Sequence, residues 1–240
     1  MNYLKDTHVM VIGASSGMGA ATAKMISELG AHVILVGRNK ERLEHVRKEL
    51  SSKSTIIAAD ITHTADREKI INALPELDHI IFTAADLSYV PFNSFDQGAM
   101  DRAIGSKITG PFFLIQALAS KIKDKGSVIF VSGVAAERPI PGGTVTGMVN
   151  GAINAMVRGL ALELSPVRVN AVSPGWVDTP FWDRIGSQEQ KTSRFNAMRE
   201  KLPSHYITTP ENIASAILSL ITNPAVNAST MYVDSGQRLI

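Results

Sequence analysis

Seven short apolar runs, separated by longer segments of helical periodicity, constrain this chain more than any other feature. The runs are His8–Ile12, His32–Val36, Thr55–Ala59, His79–Thr83, Ser127–Val131, Val167–Val172 and Thr230–Val233. Helical patterns fill the intervals near 17–29, 40–50, 65–73, 97–122, 143–164 and 211–221. Strands that alternate with helices imply right-handed crossovers and a sheet covered on both faces. The expected fold class is therefore α/β: one doubly wound domain over 1–240, with a mostly parallel seven-stranded sheet and helices on both faces. A length of 240 residues suits one such domain better than two small ones.

Composition narrows the function classes. The net charge is +2 and no basic cluster exceeds Lys121-Ile-Lys-Asp-Lys125, which argues against a nucleic-acid surface. That cluster reads as the end of a helix, where cations offset the C-terminal dipole. With no cysteine, disulfides, thiolate zinc sites and thiol catalysis are excluded, and no metal site is expected. Val9–Ile12 is too short for a signal peptide core, and no apolar run approaches a membrane span, so the expected setting is the cytoplasm.

Two places break the regularity. Gly105 and Gly110-Pro111 predict a break or kink inside 97–122. The polar segment 176–208, with Trp176, Phe181 and Trp182, follows a strand's carboxyl end, where a doubly wound sheet binds ligands. It is expected to form a substrate lid.

The sharpest local signal is Gly13-Ala-Ser15-Ser16-Gly17-Met18-Gly19, placed between the first strand and a helix that ends at Gly30. Missing side chains let backbone approach a pyrophosphate, and free N–H groups at the helix start carry partial positive charge toward it. The second strand ends in Gly37-Arg38-Asn39, with no acid between Ala31 and Lys40. An acid there would take the ribose 2′-hydroxyl of NAD, whereas arginine suits a 2′-phosphate, so the expected cofactor is NADP(H) on a Rossmann-type domain.

These glycines, with Gly37-Arg38-Asn39, Ala59-Asp60-Ile61, Arg168–Pro180 and Val233-Asp-Ser-Gly236, make the chain resemble the short-chain dehydrogenase/reductase family over essentially its whole length. The resemblance implies that Asp60 and Ile61 flank the adenine and that Ala84 and Ala85 lie along the cofactor. It implies that Pro174 and Gly175 belong to the late cofactor motif, with Val177 and Thr179 at the nicotinamide carboxamide. It further implies an oxidoreductase of carbonyl or alcohol substrates, commonly dimeric or tetrameric.

The family's chemistry uses Asn, Ser, Tyr and Lys, because hydride transfer to a carbonyl leaves an alkoxide that must be protonated where it forms. At the matching positions this chain has Lys107, Gly133 (with Ser132 one place earlier), Thr146 and Asn150. The family's Thr before the first glycine and its Asn-Asn-Ala-Gly turn are here Ile12 and Phe82-Thr-Ala-Ala85, a largely apolar pair. Ser132, Thr146, Lys107 and Asn150 are the candidates for whatever chemistry remains. In one reading Lys107 restores the missing ammonium from the opposite helix while Asn150 bonds the nicotinamide ribose. In the other, Lys107 follows a helix break and reaches solvent.

Three outcomes stay open: a slow or specialised reductase with a donor such as Lys107, His205 or Tyr206; a non-catalytic NADP(H)-binding subunit or sensor; or a non-redox step on a small-molecule substrate that supplies its own acid. Leu87, Tyr89, Val134, Ile140, Trp176 and Trp182 suggest a partly apolar substrate. Gly143, Gly147, Gly151, Ala152, Ala155 and Gly159 leave one helix small-sided, from close packing of a partner in a homodimer or homotetramer or from burial within the monomer.

Overall fold

The computed structural model describes residues 4–86, 89–184 and 186–240. The chain begins in the middle of the sheet. β1 (His8–Ile12), α1 (Gly17–Glu28), β2 (His32–Gly37), α2 (Lys40–Lys48) and β3 (Ser54–Ala58) build one half outward. After α3 (Thr64–Ala73) the chain returns to β4 (Leu77–Phe82) on the other side of β1 and continues outward. There follow α4 (Gln97–Ile104), α5 (Gly110–Leu118), β5 (Ile122–Val131), α6 (Thr144–Glu163), β6 (Arg168–Pro174), α7 (Gln188–Lys201), α8 (Pro210–Thr222) and β7 (Thr230–Val233). The strand order is β3-β2-β1-β4-β5-β6-β7, and every pairing is parallel. The direction of winding reverses between β1 and β4, which opens a crevice at their carboxyl ends.

Strand periodicity divides the core. Met10, Ile12, Ile80, Phe82, Val128 and Phe130 face Leu114, Leu118, Ile153 and Val157 of α5 and α6. Their neighbours Val9, Val11, Ile81, Ile129 and Val172 face Ala23 and Ile26 of α1 and Ile213, Ile217 and Leu220 of α8. The chain is buried on both faces of the sheet, as a parallel sheet demands. Arg168 is buried at the sheet's edge because its guanidinium donates to the Leu220 and Ile221 carbonyls at 2.6 and 2.7 Å, capping the end of α8.

Several boundaries differ from the sequence expectation. The cluster Lys121–Lys125 closes a helix only at its first residue, which ends the 3-10 turn Ala119–Lys121 after α5; β5 already begins at Ile122. Lys121 also serves the end of α3, donating to the Ile71 and Leu74 carbonyls at 2.7 and 2.9 Å. The expected break in 97–122 is a π-helical turn, Gly105–Thr109, between α4 and α5. Segment 176–208 contains α7, which its polar sequence concealed; Phe195 is the one buried residue along it, and a Ser187–Gln190 capping box starts it. Among the described residues no helix is long and apolar enough to cross a membrane.

Candidate active site

A cleft of about 1020 Å³ runs along the carboxyl ends of β1, β2, β4, β5 and β6. Its floor at β1 is bare backbone. A Cβ on Gly13, whose φ is +88°, would stand 2.6 Å from the Ala84 amide nitrogen and the Thr83 hydroxyl, and one on Gly19 would collide with the Gly13 carbonyl. These two glycines let the loop fold tightly against β4. Gly17 differs: the nearest atoms to its Cβ would be the Thr179 side chain at 3.3 Å, across the cleft. Ser15, Ser16, Gly17 and Met18 line the cleft beside it. The first turn of α1 holds no acid, and Ser16 makes no side-chain cap, so its positive end is not offset from within. This cradle fits a pyrophosphate.

Thr83 closes the junction of β1 and β4. Its hydroxyl donates to the Ile12 carbonyl at 2.8 Å, so a side-chain hydrogen bond persists where the flanking Ile12 and Phe82 are apolar.

At one end of the cleft Arg38 stands mostly exposed, 3.4 Å from an Asp86 carboxylate oxygen and 3.9 Å from one of Asp60. Asp60 accepts from the Thr62 amide and hydroxyl at 3.0 and 2.8 Å. Burial works to raise its pKa, but these bonds and the Arg38 charge outweigh it and hold the carboxyl below its usual range. Arg42, in the first turn of α2, is a second cation on this wall that sequence reasoning missed. Its signal was a basic residue at the positive end of a helix, where it gains nothing from the dipole. Ile61, Ala84, Ala85, Pro174, Gly175, Val177 and Thr179 all line the same cleft.

At the other end lie Lys107, Ser132, Thr146 and Asn150. The π-helical turn directs Lys107 inward, and Gly110 makes the turn feasible, since a Cβ there would meet the Gly105 and Ile61 carbonyls at 2.6 and 2.9 Å. Lys107 does not reach solvent: it is 5% exposed. Its ammonium donates to Asn150 Oδ1 at 2.5 Å and to the Ser132 carbonyl at 3.0 Å. No carboxylate compensates it there, and burial lowers its pKa to about 7. The Ser132 hydroxyl donates to the Asn150 backbone carbonyl at 3.0 Å and so braces β5 against α6. Gly133 is a steric partner of Asn150: a Cβ there would lie 2.6 Å from Asn150 Nδ2. Thr146 is buried, and its hydroxyl has no hydrogen-bond partner.

Residues 13–238 match the protein family described as enoyl-(acyl carrier protein) reductase. The chain belongs to the short-chain dehydrogenase/reductase family. An uncharacterized oxidoreductase of Staphylococcus epidermidis is 28% identical over 242 residues, which covers 97% of this chain and 99% of its own. The solved structure of a short-chain member, the MalC reductase/Diels-Alderase of Malbranchea aurantiaca, superposes with a TM-score of 0.88 at 25% identity, covering 100% of this chain and 99% of that one. A solved small-chain dehydrogenase in complex with NADPH gives a TM-score of 0.84 at 25% identity, covering 98% of this chain and 100% of that one.

Within this short-chain dehydrogenase fold, Trp176, Val177, Thr179 and Trp182 of segment 176–208 line the cleft. Trp176, Trp182 and Phe195 pack together in tilted and edge-to-face pairs, with centroids 4.5–6.0 Å apart, and the Trp182 indole donates to the Val177 carbonyl at 2.9 Å. Lys191 fastens the segment through Asp178 at 2.8 Å and Asp183 at 3.0 Å. The two lid donors considered from sequence stand elsewhere. His205 is exposed with Nδ1 3.2 Å from the Arg199 carbonyl, and Tyr206 donates to Asn212 at 3.0 Å at the start of α8. Tyr89, Val134 and Ile140 line the cleft as expected; Leu87 lies outside the described residues.

Proposed function

We propose that this chain is an NADP(H)-dependent oxidoreductase of carbonyl or alcohol substrates whose active site has been remodelled. The observation that carries the reading is the buried Lys107 ammonium on Asn150, at the far end of the same cleft that begins in the glycine cradle. Where the family has Asn, Ser, Tyr and Lys, this chain has Lys107, Gly133, Thr146 and Asn150. Gly133 leaves the room that Asn150 fills, and Lys107 and Asn150 are bonded, so these three residues form one coherent set.

When bound, a reduced nicotinamide supplies the hydride. Gly13, Gly17, Gly19 and the start of α1 hold the pyrophosphate; Arg38 and Arg42 take the 2′-phosphate; Asp60 and Ile61 flank the adenine. Val177 and Thr179 meet the carboxamide. Asn150, its Oδ1 already engaged by Lys107, offers Nδ2 to the ribose. Segment 176–208 covers the substrate and keeps water out through Trp176 and Trp182.

The test is NADPH binding by fluorescence, with NADH in parallel, followed by single-turnover oxidation of NADPH against a panel of carbonyl compounds. NADPH preference that disappears in Arg38→Ala, and turnover that disappears in Lys107→Ala, are the expected results. Binding without any turnover identifies a non-catalytic NADP(H)-binding subunit. No binding of either nucleotide overturns the reading.

We also propose that a second copy covers the outer face of α6. Gly143 and Gly147 are needed inside the protomer, the latter 2.8 Å from the Ala135 carbonyl at its missing Cβ, but Gly151 and Gly159 face open space. Exposed Met148 and Leu162 stand one turn from them on the same helix.

A further inference from the structure

Reduction of a carbonyl requires a proton at the oxygen where negative charge develops. Thr146 is too weak an acid to give it, and Tyr206 and Tyr232 are engaged elsewhere, with Asn212 and Glu137. Tyr89, from the loop after β4, lines the cleft.

The structure seats this tyrosine at the start of α6. The Val90 amide donates to the Gly142 carbonyl at 3.2 Å. Gly142 has φ +79°, and a Cβ there would stand 3.2 Å from the Val90 carbonyl. Gly143 leaves room for the ring itself, since its Cβ would lie 3.4 Å from Tyr89 Cε1. The Gly142-Gly143 pair thus admits the loop against the first turn of α6, where Thr146 sits. The Thr146 hydroxyl is buried and without a hydrogen-bond partner in the cleft wall. The Tyr89 hydroxyl is its neighbour in that wall, and the contact eases the ionisation of the phenol, though less than burial opposes it. A buried, unsatisfied hydroxyl beside a phenol on the wall of a cleft is a place for an oxygen atom of a ligand.

We propose that Tyr89 is the proton donor of this enzyme, and that Thr146 bonds the same substrate oxygen. The inference rests on the nicotinamide nucleotide reading above. The substrate is a ketone or aldehyde whose apolar flank lies against Ile140 and Trp182, which line the cleft beside it. The carbonyl carbon takes a hydride with its two electrons, the C=O π bond opens, and the Tyr89 O–H bond breaks as a new O–H bond forms on the oxygen. The phenolate regains its proton from solvent, which Tyr89 can reach because it is 46% exposed. The phenol hydroxyl, though not the residue as a whole, is desolvated at the cleft wall, which raises its pKa and keeps it protonated near neutrality, as a donor in reduction must be.

Tyr89→Phe keeps the ring and removes the hydroxyl. Its expected effect is unchanged NADPH binding with single-turnover reduction slowed about 10²–10⁴-fold. An independent readout is fluorine NMR of protein made with fluorotyrosine, where the resonance missing from Tyr89→Phe belongs to Tyr89. Its titration should move to lower pH when NADP⁺ is added, because a positive ring nearby favours the phenolate; a tyrosine that merely packs the loop would not respond. NADP⁺ binding with no shift, or full turnover by Tyr89→Phe, overturns the role of Tyr89 alone. Failure of either nucleotide to bind overturns the nucleotide reading and this inference with it.

Discussion

Lys107 is a lysine with no carboxylate to hold its charge, and its pKa of about 7 follows from that burial. The charged form predominates below pH 7 and is lost as the pH rises through it. If the ammonium orients the site, the single-turnover rate should fall over the same interval. Lys107→Met, which keeps the length and removes the charge, should abolish that step of the pH profile. A second residue-scale prediction concerns Gly133, whose backbone is extended, so that alanine meets only a steric obstacle, the Asn150 amide 2.6 Å away. Gly133→Ala should cost about 1–3 kcal/mol by overpacking. In urea titrations the double variant Gly133→Ala, Asn150→Gly should recover part of that loss; strict additivity would show that the two positions are not coupled.

At the scale of elements, α7 is held by few contacts. Phe195, Leu202 and Ile207 are buried with Trp176 and Trp182 against them, and the remaining surface of the helix is polar. Truncating a buried phenylalanine typically costs about 3–5 kcal/mol. Phe195→Ala should spend that cost locally: hydrogen exchange should quicken across 188–201 while the strands keep their protection. α6 is the opposite case, tightly packed at its first two turns and open along Gly151 and Gly159. Replacing Gly159 with arginine should leave the protomer folded and reduce its size in gel filtration to that of a single chain; an unchanged size would remove α6 from the interface.

For the whole molecule, the shifted groups give stability a definite pH dependence. His79 is buried between β4 and β5, with Nδ1 2.9 Å from Ser127 Oγ, and burial lowers its pKa to about 4. Lys107 and Asp60 are also lowered. In all three cases the unfolded chain binds more protons, so stability rises with pH. For His79 the contribution is complete above pH 6.5 and is lost as the pH falls from 6.5 toward 4, roughly 2 kcal/mol by pH 5. Lys107 adds a rise between pH 7 and 10.5 in the nucleotide-free protein. Urea midpoints at pH 5, 7 and 9 check both intervals; a flat profile would contradict the burial of His79 and Lys107.

The sheet, the glycine-rich turn and the threonine at 146 were legible in the sequence, because each is local. Strand periodicity, the Gly13–Gly19 spacing and the residue at 146 are properties of short stretches whose backbone chemistry leaves few alternatives. Helix α7 was not legible, because it buries one side chain, and a helix so little buried leaves almost no periodic signal. Lys121 was read correctly as a cation at a helix end, but it also caps α3, whose Ile71 lies 50 residues away in sequence. The site depended on distance in the same way. Whether Lys107 points to solvent or to Asn150 is decided by a π-helical turn pressed against Ile61, and the seat of Tyr89 by glycines at 142 and 143. The sequence by itself determined the strands, the helices that cover them and the glycine-rich turn; tertiary packing alone decided which hydroxyls and which charge meet in the cleft, since burial and contact exist only between segments.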